Sequence, residues 1–166
     1  MASGANKPSV VTRGDKVFVM TDEPKEATMA PYIHDLKMRG VTQLVRACDA
    51  SYSKDAAAAA GITVHDMAFP DGEAPPAHII KAWLELCDRT FAGGNPKKEA
   101  IAVHCIAGLG RTPVLVAIAL IEDGMEPLDA VTKIRAVRRG SINAKQLDYL
   151  ESQYKRRGSG GCCVVQ

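Results

Sequence analysis

Apolar positions along this chain change their period several times, and each change predicts an element. Lys16-Val-Phe-Val-Met20 is a short strand candidate. Tyr32 to Arg39 carries Ile33 and Leu36 at helical spacing and stops at Gly40. Val41 to Val45 predicts the next strand, with Arg46-Ala-Cys-Asp running off its end. Ala56 to Ala60 predicts a small helix closed by Gly61, and Ile62 to Asp66 alternates as a strand does. Phe69 to Pro76 is a loop rich in proline, glycine and acid. Ile79, Ile80, Trp83, Leu84, Leu86 and Cys87 mark a helix with one apolar face, and Gly93-Gly94-Asn95-Pro96 is a turn. Ile101 to Val103 predicts a core strand. Pro113 to Ile121 is apolar on every side and must be a buried helix. Two more helices are expected, one from near Pro127 to near Gly140 and one from Asn143 to about Tyr154.

Strands alternating with helices predict an α/β fold, a central mainly parallel sheet flanked by helices. Functional groups should then gather outside the C-terminal strand ends, where Cys48, Asp71 and Cys105 fall. At 166 residues the chain has room for one domain with a real core. The reading places a loose N-terminus at 1–11, the domain at 12–154 and a tail at 155–166. No stretch is apolar for long enough to span a bilayer. Five cysteines without metal-like spacing point to neither a disulfide framework nor a metal site, and no cofactor is implied. The net charge of +2 hides an asymmetry. Val131 to Gln166 holds eight Lys/Arg against two Asp/Glu, whereas the rest holds thirteen against seventeen. Nucleic acid is one explanation for such an excess. The chain's ending makes an anionic membrane surface the better one.

The sharpest chemistry lies between the core strand and the apolar helix, at His104-Cys105-Ile106-Ala107-Gly108-Leu109-Gly110-Arg111-Thr112. A thiol stands at one end and a guanidinium at the other. Free cysteine has a pKa of about 8.5, so a nucleophile needs positive charge and hydrogen-bond donors around it. Backbone amides of a loop entering a helix N-terminus supply both. Gly108 and Gly110 can adopt positive φ and turn amides toward one anion. Arg111 can grip two phosphoryl oxygens and follow them as they flatten in the transition state. Thr112 can give its hydroxyl to the departing thiolate. His104 should face away from substrate and brace the loop. The competing readings fit less well. A Walker loop would end in Gly-Lys-Ser/Thr, and a dinucleotide fingerprint needs a third glycine and a later acid.

This loop resembles the signature of the tyrosine and dual-specificity phosphatases. The longer run from Val103 to Glu122 resembles the prenylated phosphatase of regenerating liver family, the type IVA protein tyrosine phosphatases. The similarity extends over Gly40 to Tyr52, Ile134 to Tyr149 and the terminal Cys-Cys-Val-Val-Gln. It implies a cysteine-phosphatase fold, a phosphocysteine intermediate and phosphotyrosyl protein as substrate. Two other functions stay open. The resemblance also implies that the cleft can act as a weakly catalytic module holding a CBS-domain magnesium transporter of the cyclin M type. A phosphoinositide could also be the substrate, although Ile106, Ala107 and Leu109 supply none of the lysines such enzymes often add. A second copy of the chain stays open as a partner.

A tyrosine leaving group needs a proton, and Asp71 sits on the loop expected to deliver it. The family pattern here is Trp-Pro-Phe-Asp-Asp-Gly-Ala-Pro-Pro, with the second Asp as acid. Counted back from Pro75-Pro76, that position is Gly72 and the first Asp is Asp71. Ala68 or Met67 stands where the tryptophan would be. Asp71, or failing it Glu73, is left for the role. Thr112 replaces the family's usual alanine, whose lack of a hydroxyl goes with slow turnover. The resemblance makes Cys48 the redox partner of Cys105. It makes Tyr52 a pocket wall, and it sets Gln146 near the hydrolytic water. Asp49 is expected to orient Arg111 or to cap a turn. Arg138 is expected to contact the phosphate-bearing partner or to sit on a solvated helix face. The tail reads as basic patch, spacer and prenyl box: Lys155, Arg156 and Arg157, then Cys163-Val-Val-Gln. A final Gln favours farnesyl, and Cys162 is a second acylation candidate. One prenyl chain binds membranes marginally, so the basic residues are the expected second signal. The expected location is the cytoplasmic side of the plasma membrane or endosome, with some protein in the cytosol.

Overall fold

The computed structural model describes residues 7–158. Five strands form one sheet: β1 (Ser9–Arg13), β2 (Lys16–Thr21), β3 (Val41–Arg46), β4 (Thr63–Asp66) and β5 (Ala100–His104). Their order is β1-β2-β5-β3-β4. Only β1 runs antiparallel, paired to β2 as a hairpin (Val11 opposite Phe18). The other neighbours are parallel, with Phe18 opposite Ile101 and Val45 opposite Val103. β1 was not expected. Val11 is buried beneath it, so ordered structure begins at Ser9, inside the segment expected to be loose.

Helices cover both faces. α1 (Met29–Met38) and α2 (Asp55–Ala59) lie on one face, over Val19, Leu44 and Ala102. α3 (Ala77–Thr90), α4 (Arg111–Glu122), α5 (Pro127–Val137) and α6 (Ala144–Asp148) lie on the other, over Phe18, Met20, Ile101 and Val103. Strand residues alternate between the two cores because successive side chains point to opposite faces. Every residue of α4 from Arg111 to Ile121 is buried, as its unbroken apolar run requires. Trp83 of α3 enters this core, and its indole N–H donates to the Leu115 carbonyl at 2.7 Å. Phe18 packs on Trp83 and Phe91, with ring centroids 5.8 and 5.4 Å away.

The expected last helix is shorter than its pattern suggested. α6 begins with a capping box, in which Asn143 Oδ1 accepts from the Gln146 amide (2.8 Å) and Gln146 Oε1 accepts from the Asn143 amide (3.1 Å). It then widens into a turn over Tyr149–Gln153. The chain does not leave the domain at 154. Arg157 reaches Asp88 on α3 (2.8 Å) and Glu122 at the end of α4 (3.0 Å), and Arg156 reaches Glu126 (3.4 Å). Two of the three cations of the expected basic patch thus face carboxylates. No helix among the described residues is long and apolar enough to cross a membrane. Cys162 and Cys163 lie outside the described residues.

Candidate active site

β5 is central and fully buried, and it places Cys105 at the C-terminal end of the sheet, 2% exposed. From there the chain makes a tight loop and enters α4 at Arg111. The carbonyls of that loop define its function. Ile106 accepts from the Glu23 amide (3.0 Å), Leu109 from the Ile142 amide (2.8 Å), Gly108 from Arg138 Nε (2.7 Å) and Ala107 from Arg138 Nη2 (3.1 Å). Four consecutive carbonyls are thus tied outward. In a trans peptide the following N–H points the opposite way. The amides of 107 to 110 therefore face the concave side in front of Cys105. That is a nest for an anion at the positive end of a helix.

Gly108 has φ +68, and a Cβ there would collide with the Thr21 carbonyl and the Arg138 guanidinium. Gly110 is different. Its φ is −113, so it needs no left-handed freedom. A Cβ on Gly110 would instead sit 3.3 Å from Asp71 Oδ1 and 3.5 Å from Gln146 Nε2. Its bareness keeps the mouth of the cradle open.

Arg138 departs most from expectation. It is not on a solvated helix face: it is 4% exposed and lies behind the loop. Besides the two loop carbonyls it pairs with Asp22 and donates to Ser9 Oγ (3.3 Å) and the Lys7 carbonyl (3.4 Å). A guanidinium has five donors in a planar fork, so one side chain can hold five groups. Neither position nor residue type marked Arg138 for this role.

His104 links the loop to Tyr52. Its Nε2 is 2.6 Å from the Tyr52 hydroxyl and its Nδ1 is 3.2 Å from the Cys105 carbonyl. Burial lowers its pKa to about 4, so the ring is neutral at physiological pH. Tyr52 braces His104 and also lines a surface groove with Met29 and Asp55. Its ring packs on His104 (centroids 5.6 Å) and under the Arg46 guanidinium (4.8 Å). Arg46 in turn is fixed by Asp66 at 2.6 Å.

Cys48 is buried where β3 ends, next to the end of β5. Its Sγ is 3.8 Å from Glu23 Oε1 and 4.0 Å from His104 Nδ1. Burial, and then the Glu23 carboxylate, push its thiol up to about 11. Cys48, Cys87 and Cys105 are all free thiols.

Arg111 is 7% exposed and anchored from the acid loop. Its Nη1 donates to the Phe69 carbonyl (3.3 Å), and its Nε lies 3.5 Å from Asp71 Oδ1 without a formed hydrogen bond. Asp49 does not orient it: that residue is exposed after β3 and makes no bond to Arg111. Thr112 is fully buried, and its hydroxyl has no partner. A buried donor normally has an acceptor, so one left open at the base of an anion site invites a charged one.

The acid loop separates its two carboxylates. Asp71 is largely exposed but turned toward Gly110 and Arg111. Glu73 is turned away and held by Lys145 Nζ (2.6 Å). The loop docks on α6 through Asn143 Nδ2 to the Gly72 carbonyl (3.2 Å) and Gln146 Nε2 to the Glu73 carbonyl (3.3 Å). Gln146 is thereby buried between the acid loop and Gly110. No group of three or more potential metal ligands occurs among the described residues.

Comparison with known proteins agrees with this geometry. Residues 19–125 match a family model described as "Polymorphic toxin system, DSP-PTPase phosphatase". The chain is 46% identical over 160 residues to a probable protein tyrosine phosphatase type IVA A of Dictyostelium discoideum, covering 96% of this chain and 95% of that one. It is 49% identical over 134 residues to mouse protein tyrosine phosphatase type IVA 3, covering 81% and 76%. Among solved structures, a putative protein tyrosine phosphatase from Leishmania major superimposes with a TM-score of 0.81 at 35% identity, covering 90% of this chain and 99% of that one.

Proposed function

The chain belongs to the type IVA protein tyrosine phosphatases, and on that footing we propose how its residues divide the reaction and where it takes place. The observation that carries the reading is the loop of four outward-tied carbonyls in front of Cys105. A phosphotyrosyl phosphate seats on the amides of 107 to 110 and on Arg111. The Cys105 thiolate attacks phosphorus, and the tyrosyl oxygen leaves with the proton of Asp71. Asp71 then takes a proton from the water that attacks phosphocysteine, with Gln146 beside that path. The Thr112 hydroxyl donates to the sulfur as it departs. Amides and guanidinium are preorganised, so transition-state charge is met without reorganisation at the moment of reaction.

The thiol pair extends the proposal to redox control. Peroxide converts the Cys105 thiolate to sulfenic acid with loss of hydroxide. The Cys48 thiol then condenses with it, forming the disulfide and releasing water. Cys48, whose thiol titrates high, is suited to resolve this bond and not to open the sequence.

Cys163-Val-Val-Gln supports farnesylation and action on cytosolic membrane faces, with phosphoproteins or phosphoinositides there as the substrates within reach. A second reading has one observation in its favour. Ile106 is 61% exposed at the rim of the anion cradle, an apolar contact that suits a bound partner such as a CBS-domain magnesium transporter.

The test is phosphate release from a phosphotyrosyl peptide and from phosphoinositide vesicles. Cys105→Ser should lower peptide turnover by roughly 10⁴-fold or more while leaving phosphate-site binding in place. Retained peptide turnover in that variant would remove Cys105 as nucleophile. Tight transporter binding with negligible turnover in the parent would favour the second reading. Cys163→Ser should move the protein from membrane to soluble fractions.

A further inference from the structure

A groove of about 530 Å³ lies on the side of the domain carrying the chain's end, lined by residues outside the catalytic loop. Ile80 and Leu84 of α3 and Tyr149 and Tyr154 of the C-terminal turn line it, and Lys155 and Arg157 stand at its rim. Ile80, Tyr149 and Tyr154 are half-buried and pack on the main core, so the groove is continuous with the hydrophobic interior. Arg157 pins the end of the chain beside it, bridging Asp88 and Glu122, and Tyr154 adds a 2.5 Å hydrogen bond to Glu122.

The position of the chain's exit selects the occupant. The described residues end at Gly158, one residue beyond the rim. Cys163 is five residues further, so its sulfur can lie anywhere within about 18 Å of that point. A farnesyl chain on Cys163 is thus tethered at the mouth of an apolar groove at high effective concentration. We propose that the groove between α3 and the C-terminal turn is a docking site for the farnesyl chain on Cys163 of the same molecule. The proposal rests on the prenylation reading above and goes beyond it. Docked, the lipid is shielded from water and withheld from the bilayer. At an anionic surface, lipid headgroups compete with Asp88 and Glu122 for Arg157. The rim opens, and the chain is handed to the membrane. The cations of the tail then act as a charge-dependent latch, and the ion pairs of Arg157 are its closed state.

The test uses the full chain, prenylated in vitro by a farnesyltransferase with a photoreactive farnesyl diphosphate analogue. Mass spectrometry first establishes the lipid on Cys163. Its absence would overturn the prenylation reading, and the docking site with it. With the lipid in place, irradiation should map cross-links to α3 and to the turn at 149–155. Cross-links spread over unrelated surfaces would overturn the docking site alone. Ile80→Glu charges the floor, and Glu85→Trp fills the groove from its exposed edge without touching the core. Both variants should lose the cross-links. If the groove holds the lipid about four-fifths of the time, both should partition about fivefold more strongly into neutral phosphatidylcholine vesicles. The gain should shrink with phosphatidylserine vesicles, where the parent opens too. Unchanged partition of two variants that keep parental turnover of a small soluble phosphoester would overturn the proposal.

Discussion

The two loops that meet at Arg111 are built in opposite ways. The phosphate loop, 105–110, is held from behind by a buried guanidinium, two backbone amides and a buried histidine. The acid loop, 69–76, is held by the buried Arg111 at Phe69, but beyond it by Asn143, Lys145 and Gln146, with two of these bonds at the surface. Buried polar networks are rigid because leaving any member unpaired is costly. Exposed hydrogen bonds exchange with water at little cost. The anion cradle is therefore held by buried partners, and the carboxylate above it stands largely in solvent. A cradle must match a transition state closely, whereas a general acid must let substrate in and product out.

Breaking the rigid side should have the largest effect. Arg138→Ala removes the donors of two loop carbonyls and the cation facing Asp22, so it should cost about 3–5 kcal/mol in urea unfolding. It should also abolish tight vanadate binding. Arg138→Lys keeps a charge for Asp22 but cannot span the carbonyls. It should recover stability well ahead of vanadate affinity. Parallel recovery of both would mean that charge alone, without the fork, shapes the loop.

His104 makes the same side sensitive to pH. The unfolded chain takes up its proton near pH 6.5, while burial holds the folded ring's pKa at about 4. Stability is full above the higher value and is lost as pH falls toward the lower one. At pH 5 the loss should be about 2 kcal/mol relative to neutral pH. His104→Gln should flatten that limb of the stability curve. A variant curve parallel to the parent's would assign acid lability to other groups.

The exposed side predicts a change in rate without a change in stability. Asp71→Asn should slow phosphotyrosyl peptide hydrolysis by about 10²-fold. It should spare an ester whose leaving group needs no proton, and leave the melting temperature in place because Asp71 is exposed. Glu73→Gln should do little to either substrate. Equal slowing of both esters by Asp71→Asn would make the residue a positioning group for Arg111.

The smallest effect belongs to the seam, where Thr112 lies under the cradle with an unpartnered hydroxyl. Removing an unsatisfied donor is nearly neutral for folding, so Thr112→Ala should change stability by less than about 0.5 kcal/mol. Turnover should fall about tenfold, the worth of one hydrogen bond to the leaving sulfur, and phosphocysteine should accumulate in rapid-quench trapping. An unchanged trapped fraction would remove Thr112 from the mechanism.

Local chemistry carried the sequence reading a long way. The all-apolar run at 113–121 could only be a buried helix, and the alternation at 62–66 could only be a strand. Cys105, Arg111 and the glycines between them declare an anion loop because their spacing and residue types act within one turn of chain. Four features were set by distant parts of the molecule. β1 forms because β2 offers it an edge, and its short polar-flanked sequence carries no period of its own. Arg138 became the clamp because α5 packs behind the loop, thirty residues from the carbonyls it holds. Asp71 faces Arg111 while Glu73 faces Lys145 because α6 docks beneath that loop. Arg157 is an intramolecular latch because Asp88 and Glu122 meet at one corner. A period or a motif is written in neighbouring residues. The partner of a buried charge depends on which elements the core brings together, and only the packed structure decides that.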